Sequence, residues 1–346
     1  MPIAAKRVFR LSLTVALALV VAYGSGQPLA FIAPMFAFML GAAPKPPMGP
    51  KGLVGLLAIL CLMLSSGLLL VPVLTYYPAT GLMLALLGLF FANYATLNLG
   101  KPPIGALLTL GIALISAMGL MGSGVAPMII QALCVNILVA VVCQWVVYPF
   151  FPEETGPPPP PPPPSEPAQS SWLALRATLI VYPSYLLVLT NPAAYAAIIM
   201  KSVALGQQTE ATDVKVAGRE LLGSTLMAAL LAILMWFGLK LAPNLWMFGL
   251  WTLAFSMFVI AKFYGVLPSK FSPSFWQNVL VTLFIFIGPA VGDTESGKDP
   301  YKASAIRLAL FVGVTIYAWL MLVFLEWLRT RQLNKRSTVS AREMSS

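Results

Sequence analysis

The chain is a near-continuous succession of apolar stretches, each close to the length that crosses a lipid bilayer. In its first half they fall at 8–24, 28–43, 52–73, 80–98, 103–121 and 127–149. In its second half they fall at 173–190, 192–206, 219–240, 244–262, 274–292 and 302–327. The hydrocarbon core of a membrane needs about 20 helical residues, and most of these segments meet that length. Charged residues make up only 9% of the chain, against roughly 25% in soluble domains. So few charges cannot clothe a water-facing surface of this size, which excludes a soluble enzyme. The expectation is an all-α, polytopic transmembrane helical bundle.

Several chemistries are excluded by residue type. Histidine is absent, which removes His-based proton transfer, His metal ligation and Ser-His-Asp triads. Cys61, Cys134 and Cys143 all lie in apolar runs and read as small core residues, with no disulfide or zinc spacing. No phosphate-binding GxxxxGK[ST] loop occurs, and no paired aspartates of the type that hold a magnesium diphosphate. The expectation is no enzyme, no metal and no cofactor.

Phe151 to Ser171 divides the chain. It carries Glu153, Glu154, an unbroken proline run from Pro157 to Pro164, Glu166 and Pro167. Proline cannot continue a helix or pair in a sheet, so this run predicts a polyproline II spacer, roughly 25 Å long at about 3.1 Å per residue. A tether and a PxxP docking segment are its two readings. The expected organisation is a transmembrane repeat over 1–150, a linker over 151–171, a second repeat over 172–328 and a basic tail over 329–346. The apolar run after Lys6, Arg7 and Arg10 has no cleavage pattern behind it and reads as a retained first helix.

Charge predicts orientation. With twelve crossings, only Lys240, Lys298, Lys302 and Arg307 of the 21 basic residues fall on one side. The rest, Lys201 among them, fall with both termini and the linker. The positive-inside rule places that side in the cytoplasm.

The halves resemble each other. Arg10 and Arg176 open their first segments. Lys51-Gly52-Leu53-Val54-Gly55 and Arg219-Glu220-Leu221-Leu222-Gly223 open their third. Leu107-Leu108-Thr109-Leu110 and Leu280-Val281-Thr282-Leu283 lie in their fifth. Six crossings per half make this a parallel repeat about an axis along the membrane normal.

These features resemble the fusaric acid resistance protein-like superfamily, which includes bacterial aromatic acid exporters. The resemblance rests on the basic residue that opens a first helix ending near proline (Arg10 to Pro28; Arg176 to Pro192). It rests also on the basic-x-Leu-x-Gly start of the third helix, fullest at Arg219–Leu226, and on Arg307 six residues before Gly313. It implies an inner-membrane exporter of aromatic carboxylates or related organic anions that works with a periplasmic membrane-fusion adaptor. Larger members carry a cytoplasmic domain where this chain has only its proline linker. Plant malate-transporting anion channels are similar too, which keeps a passive channel open. A non-transporting membrane scaffold is the third reading. A homo-oligomer is compatible with all three, and nothing indicates nucleic acid.

An anion path needs a cation within a span, and every such charge is a functional candidate. Arg307 leads, because a guanidinium can grip a carboxylate bidentately; the bland alternative is interfacial pairing. The repeat sets Gln131 opposite it. Lys262, with Asn93 at the matching position of the first half, is the second candidate, for an inner vestibule. Asn136 and Gln144 are eight apart and share a face of the sixth helix; interhelical bonding and pore lining are both open. Glu220 and Glu326 are the candidates for proton coupling.

Overall fold

Proline sets most of the helix starts. It has no N–H and holds φ near −65°, so it suits the first helical position, where an N–H would lack a partner. The helices α3 (Pro50–Tyr76), α4 (Pro78–Leu99), α5 (Pro102–Leu110), α8 (Pro167–Thr190), α9 (Pro192–Gly206), α12 (Pro273–Glu295) and α13 (Pro300–Glu343) all begin on one. By contrast, α11 (Leu245–Phe263) is capped by Asn244, whose side chain accepts from the Met247 N–H at 2.8 Å. The others are α1 (Ile3–Gly24), α2 (Ile32–Gly41), α6 (Ser116–Gly119), α7 (Val125–Val147) and α10 (Val214–Leu241). A π-helical turn, Gly111–Ile115, joins α5 to α6 in a single rod. The computed structural model describes residues 2–99, 102–153, 167–206, 214–295 and 300–343, and among them no strand occurs.

The protein is a multi-pass, all-α membrane bundle. Among the described residues, nine helices are long and apolar enough to cross a bilayer: α1, α3, α4, α7, α8, α10, α11, α12 and α13. Three of the twelve expected segments are shorter. The second is the most altered. Residues 25–31 are not regular helix, Leu29 has φ 55°, and α2 has only ten residues, or about 15 Å. Unwound backbone at membrane depth needs partners inside the protein. Here α7 supplies one, as Asn136 Nδ2 donates to Pro28 O at 3.0 Å, and further along Gln144 Nε2 donates to Ala37 O within α2 at 3.3 Å. The shared face of Asn136 and Gln144 is thus an interhelical one.

Two expected boundaries shift. The second half begins earlier than 172, because α8 starts at Pro167, inside the expected linker. The proline run itself lies outside the described residues. The tail expected from 329 continues α13 as helix to Glu343.

Helix directions follow from contacts. A Cβ on Gly67 or Gly111 would strike the facing backbone, because α3 and the π-turn pass with almost no separation. Gly119 lies against Val71, so α3 and the fifth rod run the same way. Gly105 meets Thr96 and Gly88 meets Ile112, so α4 runs oppositely. Trp145 Nε1 donates to Met48 O at 2.7 Å, which sets the end of α7 beside the start of α3. Asn93 Nδ2, toward the end of α4, donates to Thr178 Oγ1 near the start of α8 at 3.2 Å. Both halves therefore begin on one face, called here the basic face.

The packing scheme repeats as well. In the first half α2 packs on α1 and α7; in the second α9 packs on α8 and α13. The halves embrace: α1 lies against α11 of the second half, and α8 against α4 of the first. Likewise α2 packs on α12, and α9 on α5 and the π-turn. The ion pairs match too. Arg10 Nη1 lies 2.7 Å from Glu153 Oε2, just past α7, and Arg176 Nη1 lies 3.6 Å from Glu326 Oε1 near the inner part of α13.

Candidate functional site

Two polar features stand out in this apolar bundle, one at the basic face and one in its middle. The first is a narrow crevice, about 30 Å³ in volume, lined by residues of α1, α2, the α2–α3 connection and α7, including Arg10, Lys45, Gln144 and Tyr148. Its remaining walls are mostly apolar, among them Leu11, Leu40, Pro46 and Met48. Arg10 also lies 5.7 Å from the centroid of the Tyr148 ring, within cation–π range.

Charge at this crevice is unbalanced. Arg7 and Arg10 both bind Glu153, and Lys45 adds a third cation at the rim. Burial alone would raise the Glu153 carboxyl, but hydrogen bonds and charge from Arg7 and Arg10 hold it below its ordinary value. One carboxylate thus faces two guanidiniums, and the cluster keeps a net positive charge.

The second feature is Lys201. It belongs to α9 and is only 1% exposed. Its Nζ donates to Thr282 Oγ1 of α12 at 2.8 Å. Thr282 stands nine residues beyond the start of α12, about 14 Å along its axis, near mid-membrane depth. Sequence reasoning placed Lys201 among the loop charges of the inner face; the structure places it in the core. The available signal was the apolar Val203-Ala204-Leu205 after it, which continues the helix past the lysine.

Other hydroxyl pairs lie on the same helices. Ser202 donates to Ser184 of α8 at 2.7 Å, and Tyr185 of α8 pairs with Ser116 at 3.1 Å, tying the second half to the fifth rod of the first. The fifth rods of both halves are irregular: one holds the π-turn and the other Pro289. Such breaks concentrate at functional sites.

The residues expected to bind substrate are dispersed. Arg307 is half-buried two turns into α13, toward the face opposite the basic one. Gln131 is exposed on α7, a helix that packs on α1, α2 and α3, whereas α13 packs on α8, α9, α10 and α12. The structure does not bring this pair together. Lys262 donates to Pro268 O at 2.7 Å and lies 5.9 Å from the Phe258 ring centroid, closing the loop after α11. Asn93 is buried in the contact between α4 and α8, joined to Thr178. Of the acids, Glu326 is paired with Arg176.

A family model described as a protein of unknown function, DUF2955, matches residues 7–147, the first repeat. No curated protein and no solved structure matches the chain.

Proposed function

We propose that the protein is a transporter of organic anions, aromatic carboxylates foremost, and that the crevice at the basic face is where they enter. The observation that carries this reading is the lining of that crevice: Arg10 and Lys45 beside Tyr148, Gln144 and apolar walls. Cations attract a carboxylate, and flat apolar surface accepts a ring. The positive-inside rule makes the basic face cytoplasmic, so the direction of transport is outward, across a bacterial inner membrane, with delivery to a periplasmic adaptor. The pseudo-symmetric halves suit a rocking exchange of access around a central point. Arg307, toward the opposite face, suits the exit side.

A carrier fits better than a passive channel. Leu11, which lines the crevice, is 2% exposed, so the inner wall there is packed side chain and not an open pore. The test is flux in liposomes containing the purified full-length protein. Preloaded 4-hydroxybenzoate should leave faster than from protein-free liposomes, and tyramine, an amine on a similar ring, should not. Equal rates with and without protein would overturn the reading.

A further inference from the structure

Lys201 poses an energetic problem that the described residues do not solve. An ammonium has three donors. Among the described residues, Thr282 is its only hydrogen-bond partner. Of the described acids, Glu153 is held by Arg7 and Arg10 and Glu326 by Arg176, and none forms an ion pair with Lys201. Asp293 is eleven residues along α12 from Thr282, roughly 16 Å away along the axis. A charge buried without a counter-charge is strongly unfavourable, and an apolar side chain of similar length is the more stable occupant.

Thr282 carries a second, independent sign. Buried threonines in membrane helices usually donate their hydroxyl to the carbonyl four residues back. Thr14, Thr178, Thr225 and Thr315 do so here, at 2.7–2.9 Å. Thr282 does not; it accepts from Lys201 and its own proton is uncommitted. Among the described residues, the Thr282 O–H and the remaining Lys201 N–H groups have no acceptor, so the pair offers both kinds of donor together.

The repeat sharpens the point. Aligning Pro28 with Pro192 sets Ala37 opposite Lys201, and Thr109 matches Thr282. Thr109 is 1% exposed and its hydroxyl has no partner among the described residues. The cation is thus on one side of the pseudo-axis only, where α9 meets α12.

We propose that Lys201 and Thr282 form the mid-membrane docking point for a carboxylate, the charged group of the transported anion. This rests on the transport reading above and names the interior site that reading lacks. The carboxylate accepts from the Lys201 ammonium and from the Thr282 hydroxyl. It supplies the missing counter-charge, so the site is most stable when loaded. The structure, with Lys201 sealed from solvent, is the closed form of that site.

The test uses full-length protein in nanodiscs, with 4-hydroxybenzoate as probe. Binding is read by intrinsic fluorescence and by the ligand-induced shift in melting temperature, and flux is read in liposomes. Lys201→Met should weaken binding about 10- to 150-fold, the loss expected for a charge-assisted hydrogen bond. It should also melt no lower than the parent protein without ligand, because a desolvated charge has been removed. Lys201→Arg keeps charge and should retain part of the flux. Thr282→Val should weaken binding less than Lys201→Met does. Lys240→Gln, a charge loss at the far end of α10, should change nothing. Parent-level binding by Lys201→Met overturns this site while leaving transport intact. A parent protein that moves no carboxylate removes both. A Lys201→Met protein that melts well below the parent would make the lysine structural and would also overturn the proposal.

Discussion

Arg10 and Glu153 join the start of α1 to the chain just past α7 at 2.7 Å, and Arg7 grips the same carboxylate. Arg176 and Glu326 repeat the arrangement in the second half, more loosely, at 3.6 Å. Each pair closes its half into a ring of helices at the basic face.

The tighter closure predicts a pH dependence. Glu153 titrates below its ordinary value in the folded protein, so its contribution is present above the unfolded carboxyl pKa of about 4.3 and fades as pH falls through the lower folded value. Melting temperature should therefore drop on acidification below about pH 4.5. Glu153→Gln should lower the melting temperature at pH 7 and flatten that acid limb. An unchanged acid limb in Glu153→Gln would assign the effect to other groups.

A second prediction concerns two sulfurs. Cys61 Sγ of α3 and Cys134 Sγ of α7 lie 3.2 Å apart, while Cys143 is buried elsewhere on α7. A membrane-permeant oxidant such as copper phenanthroline should link Cys61 to Cys134 within one chain. Peptide mass spectrometry should find that linkage and leave Cys143 as the free thiol. Linkage between chains, or to Cys143, would contradict the packing of α3 on α7.

The glycine crossing gives a third. Gly67→Ala drives a methyl into the Gly111 carbonyl and should destabilise by about 1–3 kcal/mol, the usual cost of overpacking. Gly55→Ala, on the same helix with open space around it, should be neutral. Thermal melts in matched detergent compare the two.

Thr109 supplies a fourth. Its hydroxyl is buried without a partner among the described residues, so Thr109→Val, nearly isosteric, removes a desolvation penalty of about 1–3 kcal/mol. The melting temperature should rise. A fall would mean that this hydroxyl has a partner.

Topology gives the last. Reporters inserted near Ser165 and fused after Ser346 should both report cytoplasm. A linker outside would reverse the direction assigned to transport.

Most of the helices were legible in the sequence because hydropathy and proline both mark their limits. The repeat was legible from short matched strings, since equal folds keep similar residues at helix starts. The interior site was not. Lys201 sits in a fifteen-residue helix, short enough that a window reading assigns its charge to the nearest loop. Arg307 leads in the sequence as a guanidinium within a span, yet it stands near an end of that span. Gln131 was paired with it by register, and register says nothing of which face a helix turns inward. Asn136 and Gln144 fared better, because their spacing alone fixed a common face and α2 needed exactly such donors.

The exchange of neighbours between the halves has a consequence for biogenesis. During synthesis α1 leaves the ribosome first, yet the helix it lies against, α11, emerges more than two hundred residues later. Until then its buried side must be shielded by lipid or by the insertion machinery. The contact between α8 and α4 forms sooner. The first repeat is therefore not a finished unit when its last helix enters the membrane, and the oldest part of the chain is among the last to find its place.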